Sequence, residues 1–396
     1  MKALYITYMS LTEPLSYSQV LSYLNGLAQR NTLINILSFE KEEFCTKEKI
    51  NEIKRGLGKV GIKWSFLRYH KNPQFLAKTW DILSGVFVSF FIALKERVDV
   101  IHARNTICAF MGILPVLVLK KSLIFDMRGF MAEEYADANL WEKSSLIYKV
   151  VNKLERYFAQ KADENIVLTE KARDYLIDNY LVNSKNINII STCVNLEQFK
   201  RREWLCGLDL PDSKRFTIIY TGSLGTWYML QEMLSFFNIL YKSDPDAVFI
   251  ILTQTEKRII KSYIPEGLIK NIRIEITRPE QVPDFLNTAD AGIFFIKPCL
   301  SKMFSCPTKF AEYLACGLPV VINKGIGDTE KIVRDNRIGV IIENFTEEGY
   351  RLGIERLRAL LKEGNALKER CVEVAGRYFS LEQGIDRYSK VYAKLK

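Results

Sequence analysis

Short apolar runs rich in Val, Ile, Leu and Phe alternate with longer amphipathic stretches from one end of this chain to the other. A strand that is apolar at nearly every position must be covered on both faces, and crossover helices are what cover it. The alternation therefore points to doubly wound α/β architecture with parallel sheets. It predicts strands over 3–9, 34–39, 62–68, 99–103, 122–127, 165–168 and 187–191 in the first half. In the second half it predicts 216–221, 248–253, 272–277, 291–296, 319–323 and 339–342. Residues 192–214 break the rhythm with Lys200-Arg201-Arg202, Gly207 and Pro211, so they read as a linker.

The most specific local pattern is Ser305-Cys306-Pro307-Thr308-Lys309-Phe310-Ala311-Glu312-Tyr313-Leu314-Ala315-Cys316-Gly317-Leu318-Pro319-Val320-Val321. Pro307 suits a first helical position, Ser305 or Cys306 can precede it as a cap, and Gly317-Leu318-Pro319 stops the helix before an apolar strand. Free N–H groups at such a helix start, with the charge of Lys309 in the first turn, favour a phosphate. Glu312 lies three residues on, on the same face, where a carboxylate can accept hydrogen bonds from ribose hydroxyls. The expected ligand is a nucleotide diphosphate.

This segment resembles the donor-site signature of retaining glycosyltransferases of family four, which have the GT-B fold. The resemblance extends to Ser191-Thr192-Cys193-Val194-Asn195-Leu196-Glu197-Gln198-Phe199, similar to that family's interdomain turn with Cys193 in place of its Gly. It implies two Rossmann-like doubly wound domains facing a cleft. The first, 1–195, would bind acceptor, the second, 196–380, would bind nucleotide sugar, and a C-terminal helix, 381–396, would cross back to the first. One departure stands out. The family motif carries a first Glu eight positions before the second, and Phe304 holds that place here.

Thr221-Gly222-Ser223-Leu224-Gly225-Thr226-Trp227 follows the first strand of the second half. Its glycines let backbone approach a diphosphate, and Ser223 or Thr226 can cap the helix expected to follow. It resembles the family's Gly-Arg-Leu loop, with Ser223 where the Arg stands. Gly222, Ser223, Leu224, Gly225 and Thr226 are thus donor-binding candidates beside Ser305, Pro307, Thr308, Lys309 and Glu312. In the loop after the first strand, Ser16-Tyr17 occupy the place where relatives carry a glycine toward the donor. Arg128, at the carboxyl end of a first-half strand, stands where many relatives have a His near the reacting sugar; a guanidinium holds phosphate or carboxylate but is no base. His102 supplies a titratable ring nearby. Lys309, Glu312, Arg128 and His102 form the expected catalytic group, and Arg128, Glu133 and Glu134 the expected acceptor contacts.

Only two histidines and eight scattered cysteines without a Cys-x-x-Cys occur among the 396 residues, so no zinc site is expected and the thiols read as reduced. Asp244-Pro245-Asp246 reads as a turn between helix and strand rather than a metal motif. No metal and no cofactor is expected; helix ends and basic side chains would neutralise the leaving diphosphate. The net charge of +10 calls for an anionic partner. Nucleic acid is not expected, as no nucleic-acid-binding motif is present. Nucleotide sugar, a glycan or polyprenyl-phosphate-linked acceptor, and an anionic membrane surface fit better.

Met1-Lys2 leads directly into a strand-like run with no signal peptide, so the chain is expected in the cytoplasm. The apolar stretches 82–94 and 107–119 are too short to span a bilayer and read as buried helices. The rival reading lays part of their surface, with Lys78, Lys95, Lys120 and Lys121, on the inner face of the membrane. The function expected is transfer of a sugar from a nucleotide-diphosphate sugar with retention, by front-face substitution, in cell-surface polysaccharide assembly. A non-catalytic GT-B-fold glycan-binding or partner subunit is the alternative. An epimerase would need more acids and histidines, and a phosphorylase a cofactor lysine and a longer chain.

Overall fold

The computed structural model describes residues 1–13, 16–202 and 215–395. It divides into two compact units, Met1–Ser191 with Leu381–Lys396, and Thr192–Ser380.

The first unit is built on β1 (Lys2–Thr7), β2 (Leu33–Glu40), β3 (Lys63–Arg68), β4 (Val100–Arg104), β5 (Ser122–Asp126), β6 (Glu164–Val167) and β7 (Ile187–Ile189), in the order β3-β2-β1-β4-β5-β6-β7. All pairs are parallel, and register places Tyr5 beside His102 and Ala103 beside Phe125. The second unit carries β8 (Thr217–Thr221), β9 (Val248–Leu252), β10 (Ile272–Glu275), β11 (Ala291–Phe294), β12 (Val320–Asn323) and β13 (Gly339–Ile342), in the order β10-β9-β8-β11-β12-β13. These strands are also parallel. Each expected strand is present, its ends shifted by at most two residues. The central strands β1, β4, β8, β9, β11 and β12 are buried almost throughout, which is why their sequences carry no polar alternation.

Strand order reverses between β1 and β4 in one unit and between β8 and β11 in the other. Loops leaving the carboxyl ends of such strands diverge to opposite faces and open a crevice, the usual ligand position in open α/β sheets. The loops that begin at Tyr8, Asn105, Gly222 and Phe295 all occupy such switch points.

Three expectations need correction. The apolar stretch 107–119 is not one helix but two, Thr106–Met111 and Ile113–Val118, broken at Gly112, where a Cβ would meet Ile101 at 2.6 Å. The stretch 82–94 lies within a longer helix, Gln74–Glu96, that is buried along one side only; Leu83, Phe87, Phe91 and Leu94 are exposed. Within the expected linker, Arg202 is tied to the second unit by its N–H to Asn287 Oδ1 at 2.7 Å and an ion pair with Asp284. Gly207 and Pro211 lie outside the described residues.

The C-terminal helix Leu381–Ala393 packs in the first unit against helix Ser22–Gln29, where Ile385 fills the space that a side chain at Gly26 would need. It carries Tyr388 and Tyr392 into that unit's core.

Candidate functional site

In the second unit, β8 ends at Thr221 and the chain enters Gly222 with φ +119°, a conformation that L side chains rarely adopt. A Cβ on Gly222 would also sit 3.0 Å from Lys309 Nζ, a tight contact that would push the amine aside. The loop does not open a helix at once. Tyr228 forms an antiparallel bridge with Ile296, Lys297 N–H donates to Trp227 O at 2.8 Å, and Met229 N–H donates to Phe295 O at 3.0 Å. The helix begins at Leu230 without a side-chain cap, so the capping roles expected of Ser223 and Thr226 are corrected. Both side chains are exposed with Gly225 at the loop's tip, and Leu224 N–H is held by Thr255 Oγ1 at 3.1 Å.

Helix Thr308–Ala315 meets this loop from the neighbouring crossover. Its N-cap is Pro307, and no side chain caps it. Ser305 does not play that part, because its hydroxyl donates to Lys302 O at 3.0 Å. The helix is clamped to the sheet by Tyr313, whose hydroxyl accepts from Thr221 N at 2.8 Å and whose ring fills the space left by Gly292.

Lys309 is 6% exposed, and its Nζ has no hydrogen-bond partner among the described residues. Two aromatic faces enclose it, with ring centroids at 4.0 Å for Tyr220 and 3.6 Å for Tyr228. Such faces attract a cation but satisfy none of its three N–H donors. Burial pushes its pKa well below the ordinary lysine value, against the pull of Glu312. Glu312 is half-buried one turn on, and burial raises its carboxyl to about 7 although Lys309 opposes the shift. A buried lysine with unmet N–H donors beside a glycine loop and an uncapped helix start is an arrangement that a diphosphate would complete. Lys302 Nζ, from the helical turn Leu300–Phe304, lies 3.9 Å from the ring centroid of Trp227 in this loop. Phe304, in the place of the family's first Glu, is 3% exposed and belongs to the apolar interior.

In the first unit, His102 is 1% exposed. Its Nδ1 lies 2.8 Å from Tyr392 Oη and its Nε2 3.4 Å from Asp126 Oδ2, which also accepts from Tyr388 Oη at 2.9 Å. Burial opposes ionisation of Asp126, but the His102 hydrogen bond and the Arg128 charge hold its carboxyl below the usual range. Arg128 Nη1 stands 3.9 Å from Asp126 Oδ1. The ring expected beside a reacting sugar is therefore enclosed in the core, and His102 acts as a member of a buried network that fixes Asp126 and Arg128. Arg104, at the end of β4, is 6% exposed, bonds Gln19 Oε1 at 2.8 Å and keeps an unpartnered Nε.

Two further expectations are corrected here. Ser16 is 1% exposed, and its hydroxyl proton is committed to the carbonyls of Leu11 at 2.5 Å and Glu13 at 2.6 Å, so its side chain caps no helix; Tyr17 beside it is exposed. The loop is held from below by Glu40, whose carboxylate accepts from Ser10 Oγ, Leu11 N, Thr12 N and Thr12 Oγ1. Glu133 is 2% exposed and accepts from Lys143 Nζ at 2.8 Å and from Tyr148 Oη, so it presents no acceptor to a substrate. Glu134 stays half-buried, with its Oε1 2.6 Å from where a Gly129 Cβ would stand. Asp244-Pro245-Asp246 forms the turn between helix Leu230–Ser243 and β9.

Sequence reasoning did not single out Tyr220, Tyr228, Arg104, Asp126, Tyr388 or Glu40. Tyr220 reads as an ordinary strand residue, and only the fold turns its ring onto Lys309.

Residues 25–198 match the family described as Glycosyltransferase Family 4, and residues 209–375 match Glycosyl transferases group 1; together they span most of the chain. Among solved structures, the chain is similar to sucrose-phosphate synthase from Thermosynechococcus elongatus, with TM-score 0.76 and 13% identity over 100% of this chain and 98% of that one. It is also similar to WaaG, a glycosyltransferase involved in lipopolysaccharide biosynthesis, with TM-score 0.71 and 13% identity over 98% and 99% of the two chains. Anabaena HepE in complex with UDP-glucose gives TM-score 0.68 and 12% identity over 100% of both chains. At these identities the likeness shows the GT-B fold. No curated protein matches the chain.

Proposed function

This chain belongs to the glycosyltransferases of the family-four type, and we propose that it transfers a sugar from a nucleotide-diphosphate donor, with retention, to a glycan or polyprenyl-phosphate-linked acceptor in cell-surface polysaccharide assembly. The observation that carries the donor site is Lys309, a buried lysine with unmet donors at an uncapped helix start beside the Gly222 loop. The β-phosphate of the donor takes up those N–H donors, and Glu312 accepts from the ribose hydroxyls. The bond from the anomeric carbon to the β-phosphate oxygen breaks while the bond to the acceptor oxygen forms on the same face. The acceptor's proton passes to the departing phosphate oxygen, so no separate base is needed. Charge grows on the diphosphate in the transition state, and Lys309 and the helix start stabilise it there. Arg128, with Arg104, holds an anionic or hydroxyl group of the acceptor side.

UDP-glucose is the first donor to test, because HepE binds it. Calorimetric titration with UDP-, GDP-, TDP- and ADP-sugars should give binding for at least one, weakened in Glu312→Ala; no binding by any would overturn the donor site. EDTA should leave that binding intact, and restoration of a lost activity by magnesium or manganese would overturn the metal-free reading. Phe304 and Ser223, standing where the family carries Glu and Arg, support the second reading of a non-catalytic subunit. Nucleotide binding without any sugar transfer or donor hydrolysis would decide for it.

A further inference from the structure

Helix Gln74–Glu96 is built the wrong way round for a core helix. Its inward side carries Val86 among small and polar residues, and three of these are fixed to the first unit. Asp81 accepts from Tyr8 Oη and His70 N, both at 3.0 Å; Ser89 Oγ donates to Met111 O at 2.6 Å; and Gly85 lies where a Cβ would be 2.7 Å from Met111 Sδ. Its outward side carries Leu76, Trp80, Leu83, Phe87, Phe91 and Leu94, each between 48% and 66% exposed. Their spacing of three and four residues makes one continuous stripe, about 27 Å long at 1.5 Å per residue. Between Lys78 and Lys95 the sequence has no charge except the inward Asp81. Helix Ile113–Val118 packs alongside and adds exposed Leu117 and Val118, followed by Lys120 and Lys121.

We propose that this face rests on an anionic lipid bilayer, with Trp80, Phe87 and Phe91 entering the acyl boundary and Lys78, Lys95, Arg97, Lys120 and Lys121 meeting the headgroups. None of these five cations forms a salt bridge with another described residue, so their charge is free for anionic lipid. The helix is long and apolar enough to cross a membrane by length and composition, with mean hydropathy 1.4 over an 18-residue stretch within Leu76–Glu96. The bonds of Asp81 to Tyr8 and His70 and of Ser89 to Met111 fasten it to the body of the first unit instead, which makes it an in-plane element. A second copy of the chain fits less well, because a two-fold contact would bring this basic rim against itself. The proposal deepens the reading of a lipid-linked acceptor, and its test needs neither donor nor acceptor, so the two can fail separately.

The full-length chain is sedimented with vesicles of equal phosphatidylglycerol and phosphatidylcholine, and with phosphatidylcholine alone. Phe87→Ser with Phe91→Ser, the milder Phe91→Gln, and Lys120→Glu with Lys121→Glu are compared, each first shown by thermal melting to fold. The wild type should pellet with the anionic vesicles and be released by salt, and the double variants should partition about tenfold less or weaker still. A wild type that stays in the supernatant overturns the proposal. So does pelleting that the phenylalanine variants leave unchanged, or self-association in solution that the same variants abolish without any vesicle binding.

Discussion

Lys309 and Glu312 illustrate how one helical turn separates two opposite demands. The diphosphate needs Lys309 charged, yet burial between two tyrosines favours its neutral form. The ribose needs Glu312 ionised, yet burial raises it to about 7. Donor affinity on the account of Glu312 should therefore rise as pH passes upward through about 7, while loss of the Lys309 proton, which burial makes easier than in an exposed lysine, weakens it. Glu312→Gln should remove the rising limb in titrations from pH 5.5 to 9; a limb that persists would show that another group titrates. Glu312→Ala should cost about 1.5–3 kcal/mol of donor binding, the range for a hydrogen bond to a charged group. Lys309→Ala should lower turnover more than donor affinity, and equal losses would mark a ground-state contact only.

At the scale of elements, the sheet and its crossover helices were legible because buried parallel strands have a simple signature. The helix at Thr308 was legible too, from Pro307, Gly317 and Pro319. Its cap was not, since Ser305 has a nearby carbonyl that competes for its hydroxyl. Nor was the loop after β8, where pairing of Tyr228 with Ile296 delays the next helix by several residues. The fit of helix to sheet is close at Gly292, which faces the Tyr313 ring. Gly292→Ala should destabilise the second unit by about 1–3 kcal/mol through overpacking, read from urea unfolding, and weaken donor binding by shifting the helix. An unchanged midpoint would mean that the ring can move aside.

Across the whole molecule, sequence neighbours and spatial neighbours part company at Ser380. The last helix belongs to the unit that begins at Met1, and through Tyr388 and Tyr392 it completes the network of Asp126 and His102. Removing residues 381–396 should destabilise the first unit although nothing upstream is altered. Nucleotide binding in the unit Thr192–Ser380 should survive that deletion, checked by calorimetry beside a thermal melt of the truncated chain. Equal loss in both units would show that their folding is coupled. In the intact protein, a donor at 100 times its dissociation constant should add about 2.7 kcal/mol to the unit that binds it.

The amino-acid sequence by itself determined the two parallel sheets, the helix of Lys309 and Glu312, and the glycine loop before it. These depend on local signals: apolar strand runs, helix start and stop residues, and a glycine where backbone must come close. Tertiary structure alone decided which side chains those elements meet. It enclosed Lys309 between Tyr220 and Tyr228, drew His102 and Glu133 into internal hydrogen bonds, and left the aromatic stripe of helix Gln74–Glu96 outside. The reason is that propensity and spacing fix the period of an element, whereas which of its faces is buried follows from neighbours distant in sequence. For this helix, Asp81, Gly85 and Ser89 found inward partners, so the apolar face remained exposed.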